Sequence, residues 1–520
     1  MRSAARRWQW PLALAACLAA AGLRSVHSRL DVNWDLKNYH FYNAYAFLNA
    51  RLGWDIAPAQ LQTYYNPLLD LPFFYLVEAI PSPRIIAFVM GATTGVAAFA
   101  LLRMLSVLFP KGEVRDCWLW IALAFAVGVT GSMGLSVIGS TMNEWPPAMM
   151  LMVSLSILVA SIAKNGTPAL PALGIAGVIT GIAVGLKLTY GVFGMGLIVA
   201  VAASGTISER VRRVLAIGCF LFAGFVLSYG IWGAILYENF ANPFFPHFNS
   251  IFKSPWWEPV SYFDRNYGPR DAFQAVFFPL ILARDYKLVS EVSFRDWRLG
   301  VLFVLAILAA LKYLALRRRE TLAPAWKFLA VFTLASYFIW LKLFGIYRYL
   351  VPLEMLSGPL IVGCALYLVP GRNQRRVGIV ILAALVIGTT RQASWGRLDF
   401  RGAYFDVAVP DVAPRSLVIV GPYEPMAYAI PFFRPDTRFV SPSNNFLHFT
   451  QNNLLSRRIR DVINKHPGPI YTMDFWGQDS VNAVLKHYGL ARDEAPCLPI
   501  RSYLDASAMR ICRVHRITRS

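Results

Sequence analysis

Carboxylates are scarce in this chain, 29 Asp and Glu against 50 Lys and Arg over 520 residues, so the places where they gather are informative. Asp31 and Asp35 lie four apart in Leu-Asp-Val-Asn-Trp-Asp-Leu-Lys-Asn-Tyr-His. If that stretch is helical, positions i and i+4 share a face and both carboxylates converge on one site. Such a pair suits general-base catalysis or metal binding, and an ordinary helix N-cap with solvated acids would show the same spacing. Asn143-Glu144 sets another carboxylate beside Pro146 and Pro147. Lys187, in Gly-Leu-Lys-Leu-Thr-Tyr, and Arg348, in Gly-Ile-Tyr-Arg-Tyr-Leu-Val-Pro, are strong cations at the ends of apolar runs. A phosphate or diphosphate would need such cations, although basic side chains at helix ends also simply reach for water. There is no Walker loop, no Gly-x-Gly-x-x-Gly after a strand and no Gly-x-Ser-x-Gly elbow, so an ATP-driven pump or a serine hydrolase has no support.

The elements that must position these residues are membrane helices. Hydrophobic residues make up 56% of the chain and charged ones 15%, with a mean hydropathy of +0.46. Soluble proteins carry about 25% charged residues, so this chain lacks the polar surface to cover itself in water. Apolar runs fall at 8–27, 84–109, 117–136, 146–163, 168–186, 190–205, 214–237, 299–316, 326–344, 350–369 and 377–390, giving an expectation of about eleven transmembrane helices. The first follows Arg2, Arg6 and Arg7 and resembles a signal peptide, but lacks a convincing small-residue cleavage site.

With the N-terminus cytoplasmic, alternate loops carry Lys111 and Arg115, then Lys164, then Arg210, Arg212 and Arg213, then Arg317, Arg318 and Arg319, then Arg372, Arg375 and Arg376. The short opposite loops near 137–145, 187–190 and 345–349 hold only Lys187 and Arg348. This is the positive-inside pattern, and it accounts for the net charge of +21 without any nucleic-acid partner.

The expected organisation is a transmembrane module over 1–390, with outward loops at 28–83 and 238–298, followed by an outward C-terminal domain at 391–520. The first loop holds two amphipathic stretches, near 36–52 and 61–80, of the kind that lie along a membrane surface. In the tail, Leu417–Val420 and Pro469–Met473 are β-type runs, while Leu454–Asn464 and Ser480–His487 have helical spacing, which predicts a small α/β domain. The six cysteines form no Cys-x-x-Cys pair and no Cys/His cluster, so a zinc site has no support. Cys17, Cys117, Cys219 and Cys364 lie in or beside apolar runs. Cys497 and Cys512, in the tail, could pair outside the cytoplasm or remain two thiols.

Read in order, several of these segments resemble the landmarks of the C-type (GT-C) membrane glycosyltransferases, the superfamily of protein mannosyltransferases and lipid A aminoarabinose transferases. Asp35-Leu-Lys-Asn-Tyr39-His40 resembles the first-loop acidic motif, and Tyr65-Asn66-Pro67-Leu68 the segment after the juxtamembrane helix. Asn143-Glu144 resembles the second acidic position, Asn242-Pro243-Phe244-Phe245-Pro246 a later luminal loop, and Arg348-Tyr349 the late Arg-Tyr element. The resemblance covers roughly residues 1–370. The family often has two adjacent acids in the first loop, whereas here Leu36 stands in the second place.

The resemblance implies a multi-pass enzyme of a bacterial inner membrane with a periplasmic C-terminal domain. It would move a sugar from a polyprenyl-phosphate carrier to a glycan, lipid or protein acceptor. Asp35 would be the base, with Asp31 and Glu144 orienting the acceptor or holding a divalent cation. Lys187, Arg348 and Tyr349 would bind the donor phosphate, and Lys37, Tyr39, His40, Asn66, Asn143, Asn242 and His247 would line the substrate site. Two other readings stand beside it. One is a transporter or flippase for a lipid-linked or polar solute, which should show internal repeats and ionisable groups near mid-bilayer; the other is a non-catalytic assembly component.

Overall fold

The computed structural model describes residues 2–112, 114–205, 207–260, 266–316, 322–477, 480–505 and 508–517, and only the backbone of residues 2–8. The expected basic loop Arg317–Arg319 and the side chains of Arg2, Arg6 and Arg7 lie outside the described residues. The chain is 61% helical, with a small sheet region at its C-terminal end.

Among the described residues six helices are long and apolar enough to cross a membrane: Pro83–Leu108, Trp145–Asn165, Ile207–Phe240, Arg298–Ala315, Pro324–Leu343 and Tyr347–Leu368. This is the character of a membrane protein, but the structure does not bear out the count of eleven. The expected span at 117–136 is a 13-residue helix, Cys117–Val129, that stops at Thr130 before Gly131 starts a separate turn. The runs at 168–186 and 190–205 form helices of 17 and 12 residues, separated where Lys187 turns extended. At about 1.5 Å per residue, helices of that size cover roughly 18–26 Å, short of a hydrocarbon core of roughly 30 Å. The run at 377–390 lies in the 17-residue helix Arg372–Gly388. The first run lies in Arg2–His27, a helix carrying Pro11.

The chain divides into two compact units, residues 1–28, 88–229 and 263–395 in one, and 29–87, 230–262 and 396–520 in the other. This differs from a single cut near 390, because most of the first loop and the start of the second group with the tail.

In the first unit, helices approach at backbone distance through glycine. A Cβ built on Gly181 would come within 2.1 Å of the Leu221 carbonyl oxygen, and one on Gly224 within 2.1 Å of that of Val178. Helices in lipid pack by this kind of small-residue contact, since apolar side chains gain little by leaving lipid for protein. The unit also contains a charged lock. Arg298 and Asp296 are fully buried and bonded at 2.5 Å. All five guanidinium N–H groups are used, on Asp296, Thr390 Oγ1, the carbonyls of Val127 and Thr130, and Thr130 Oγ1.

The second unit is built on a seven-stranded sheet. Its strands are β3 (Val407–Ala408), β4 (Leu417–Val420), β5 (Arg438–Val440), β6 (Ile470–Phe475), β7 (Leu490–Arg492), β8 (Leu498–Ser502) and β9 (Met509–Arg516), preceded by the short pair β1 (Leu30–Asp31) and β2 (Arg397–Leu398). The order is β3-β8-β9-β6-β4-β5, with β7 also on β9. Strand β4 runs parallel to both neighbours and is buried throughout, which is why Leu-Val-Ile-Val is continuously apolar. The helix Leu454–Lys465 begins where Asn453 accepts a hydrogen bond from Ser456 N–H, and it buries Leu455, Ile459, Val462 and Ile463 at helical spacing. Cys497 and Cys512 are joined by a disulfide, so the paired alternative holds.

Residues of the first loop extend this sheet. Ile56 N–H donates to Phe439 O and Ser441 N–H to Ile56 O, both at 3.0 Å, beside β5. Arg51 anchors the same turn through Asp55 at 2.6 Å and the carbonyls of Pro435 and Thr437. Burial raises the Asp55 carboxyl, and Arg51 opposes that rise by holding it charged.

Candidate active site

The first unit gathers its predicted residues around one carboxylate. Glu144 occupies the N-cap position of the helix Trp145–Asn165, whose first turn carries Pro146 and Pro147. Asn143 precedes it in left-handed backbone, φ 58°, a conformation that Asn tolerates better than most residues. Lys187, extended at the end of the helix Leu170–Leu186, reaches across to Glu144. Its ammonium lies 2.6 Å from Oε1 and donates to the Met142 carbonyl at 2.9 Å. Arg348, in the turn Tyr347–Leu350, brings Nε to 3.8 Å of the same oxygen. Tyr190 donates its hydroxyl to the Glu144 carbonyl at 2.9 Å.

The electrostatics of this cluster follow from its counts of charge. The Glu144 side chain is fully buried, while those of Lys187 and Arg348 keep 19% and 17% of their exposure. One anion faces two cations whose side chains solvent still reaches. Glu144 Oε2 is buried and has no hydrogen-bond partner among the described residues. Aromatic rings wall the cations: Tyr349 lies 5.7 Å from the Lys187 ammonium and 5.6 Å from the Arg348 guanidinium, and Trp395 is 5.6 Å from the latter. Such a cluster can hold an anion of phosphate type.

In the second unit Asp31 and Asp35 do not share a helix face. Asp31 belongs to β1, paired with Arg397 of β2, so the i, i+4 argument fails for it. Both remain buried, at 2% and 8% exposure. Asn33 links the two regions. Its amide donates to Asp31 Oδ2 at 2.8 Å, and its oxygen accepts from Leu36 N–H at 2.9 Å. Asp35 therefore stands at the start of a π-helix, Leu36–His40, that continues into the α-helix Phe41–Leu48. π-Helical turns are rare and recur at functional sites.

That turn fans out the motif. Lys37 binds Asp505 at 2.5 Å, and the other Asp505 oxygen accepts from Tyr428 at 2.5 Å. Burial, with Asp505 beside it, raises the Tyr428 phenol and keeps it protonated. His40 pairs with Asp70 at 2.6 Å, both buried. Tyr39 packs on His40 and Tyr65, and Tyr65 on His247, a run of four rings. Burial pushes the His247 imidazole down to about 4, so it is neutral at pH 7. Asn66 caps the turn Pro67–Leu69. Asn242 is fully buried and bonded to His247 O, Asn249 and Phe244 N–H, which makes it a loop scaffold rather than a lining group.

Sequence reasoning passed over Asp296, Arg298 and Glu354. Glu354, buried in the helix Tyr347–Leu368, accepts from Met133 N–H at 3.0 Å and Gly134 N–H at 2.8 Å. The signal was present, since an ionisable residue inside an apolar run always needs a partner.

No family model matches the chain, and no curated protein matches it. No group of three or more His, Cys, Asp or Glu suited to a metal occurs among the described residues. Of the expected cation ligands, Glu144 already faces Lys187 and Arg348, while Asp31 and Asp35 belong to the other unit.

Removing the carboxylate should expose the dependence of the two cations on it. Glu144→Gln should lower stability by about 2–5 kcal/mol, the range for truncating one partner of a buried charge pair. Adding Lys187→Gln should recover part of that loss in thermal unfolding. Strict additivity of the two substitutions would show that the pair is not coupled.

Proposed function

We propose that the chain is a C-type integral membrane glycosyltransferase that transfers a sugar from a polyprenyl-phosphate donor to a hydroxyl acceptor. The observation that carries this reading is the convergence of Lys187 and Arg348 on buried Glu144. In the proposed arrangement about eleven segments enter or cross a bacterial inner membrane, with the N-terminus cytoplasmic and the C-terminal region periplasmic. The disulfide supports a tail in an oxidising compartment.

The chemistry assigns one role to each group. The acceptor hydroxyl gives its proton to the Asp35 carboxylate as its oxygen attacks the anomeric carbon. The bond from that carbon to the phosphate oxygen breaks, and its electron pair leaves with polyprenyl phosphate. Lys187 and Arg348 stabilise the charge gathering on that phosphate, and Tyr349 walls the cations. The buried charges Asp296, Arg298 and Glu354 lend nothing to a transport reading, because Arg298 is saturated and Glu354 is held by two backbone N–H groups.

Asp35→Asn keeps the size of the side chain and removes the base, because an amide does not accept the proton at neutral pH. Transfer from a purified polyprenyl-phosphate sugar should fall by at least roughly 10²–10⁴ while donor binding persists. A fully active Asp35→Asn enzyme would overturn the assignment, and inactivity confined to Asp31→Asn would move the role to Asp31. For orientation, alkaline phosphatase fused after residue 400 should be active in bacterial cells, and the same reporter fused after Arg319 should be silent. The reverse pattern would invert the topology.

A further inference from the structure

The first unit carries a basic patch that is separate from the cations around Glu144. Lys111 follows the end of the apolar helix Pro83–Leu108, and Arg372 follows the end of another, Tyr347–Leu368, so both stand where membrane-type helices stop. They meet at the start of the helix Cys117–Val129. The Lys111 ammonium lies over the Trp118 ring, 3.9 Å from its centre, and Trp118 is itself exposed. Asp116, in left-handed backbone at φ 58°, makes no side-chain cap to that helix. Its carboxylate turns instead to the helix Arg372–Gly388, accepting from Nε and Nη2 of Arg372 at 3.3 Å and from the same two groups of Arg376.

A basic loop that only obeys the positive-inside pattern needs no fixed geometry, because its side chains are free to reach for water. These side chains are held. Asp116 takes one edge of both guanidiniums, which leaves Nη1 of each without a bond among the described residues. The two side chains stay 50% and 40% exposed, so a second anion can reach them.

An apolar stripe runs away from the patch along the same helix. Val377, Ile381 and Leu385 are exposed at i, i+4 and i+8, while Ile379, Ala383 and Val386 are buried in the helix packing on the other side. Guanidiniums at one end of an exposed apolar stripe, with a tryptophan at the boundary, match an amphiphile with an anionic head. A soluble phosphate would leave the stripe bare, and a zwitterionic lipid would bring its own cation toward Arg372 and Arg376.

We propose that this patch binds an anionic phospholipid, its phosphate on Lys111, Arg372 and Arg376 and an acyl chain along Val377, Ile381 and Leu385. In the proposed orientation the site faces the cytoplasmic leaflet. It does not rest on the glycosyltransferase reading, and its test contains neither sugar donor nor acceptor.

The test uses the full-length protein in phosphatidylcholine nanodiscs containing a little phosphatidylglycerol with a diazirine on one acyl chain. Crosslinked peptides should map to 117–129 or 372–388, and phosphatidylcholine with the same diazirine should label them far less. Unlabelled phosphatidylglycerol should suppress the label, whereas glycerol phosphate in solution should not. A basic residue near a membrane surface is worth roughly fivefold in anionic-lipid binding, so Arg372→Gln should lower the label by about that factor. Adding Arg376→Gln should bring it down to the phosphatidylcholine level, and high salt should shrink the preference of the wild type. Ile381→Glu, which sets a like charge on the stripe, should also lower the label. The melting temperature checks the fold of each variant, and Arg372→Gln, in which Arg376 still holds Asp116, decides alone if the double variant does not fold. Equal labelling by the two lipids, unchanged labelling in folded Arg372→Gln, or labelling only elsewhere would overturn the inference. Displacement by glycerol phosphate as effective as by the lipid would make this a site for soluble anions and overturn it too. Full labelling in folded Ile381→Glu would overturn the role given to the acyl chain.

Discussion

Glu144 cannot reach water, and a carboxylate in that position must be balanced by nearby cations or lose its charge. Lys187 supplies the balance at 2.6 Å, and Arg348 adds a second positive charge at 3.8 Å. Three separate segments are tied to one oxygen in this way: the start of the helix Trp145–Asn165, the end of Leu170–Leu186 and the turn Tyr347–Leu350. Lys187 and Arg348 keep part of their side chains exposed, so an anion can approach them from solvent. The same geometry is therefore both a structural tie and the best candidate for binding chemistry.

What holds Glu144 itself in place runs through Glu354. Its carboxylate takes the N–H groups of Met133 and Gly134, and the Gly134 carbonyl accepts the indole N–H of Trp145 at 2.9 Å. Trp145 is the residue after Glu144. Gly134 and Gly131 leave room for this arrangement, since a Cβ on Gly131 would fall 2.3 Å from Glu354 Oε2. Glu354 and Arg348 belong to consecutive turns of one helical segment, so one element both orients the carboxylate and presents a cation to it.

Much of the tail was legible from residues alone. Leu417–Val420 and Ser480–His487 form as their patterns predict, because a short all-apolar run and an amphipathic octamer each have one stable way to bury themselves. That Glu144, Lys187 and Arg348 lie in neighbouring loops was legible as charge at helix ends, but their pairing with one another was not, because only the fold brings the side chains within reach. The helix expected to join Asp31 to Asp35 was not formed, since Asp31 pairs with a strand residue more than 360 positions away, and nothing local announces that. The π-turn was equally hidden. Fewer helices reach spanning length than the eleven apolar runs because hydropathy windows ignore breaks at Gly131 and Lys187, where the backbone leaves the helix while the sequence stays apolar.

The central claim is that the Glu144-centred cations bind the phosphate of a lipid-linked donor. Titrating polyprenyl phosphate, without sugar or acceptor, onto the wild-type protein and Arg348→Ala in nanodiscs tests it most directly. The account predicts that the variant keeps its melting temperature within a few degrees and binds at least tenfold more weakly, with salt weakening the wild type more than the variant. Equal affinities and equal salt dependence, in a folded variant, would contradict it.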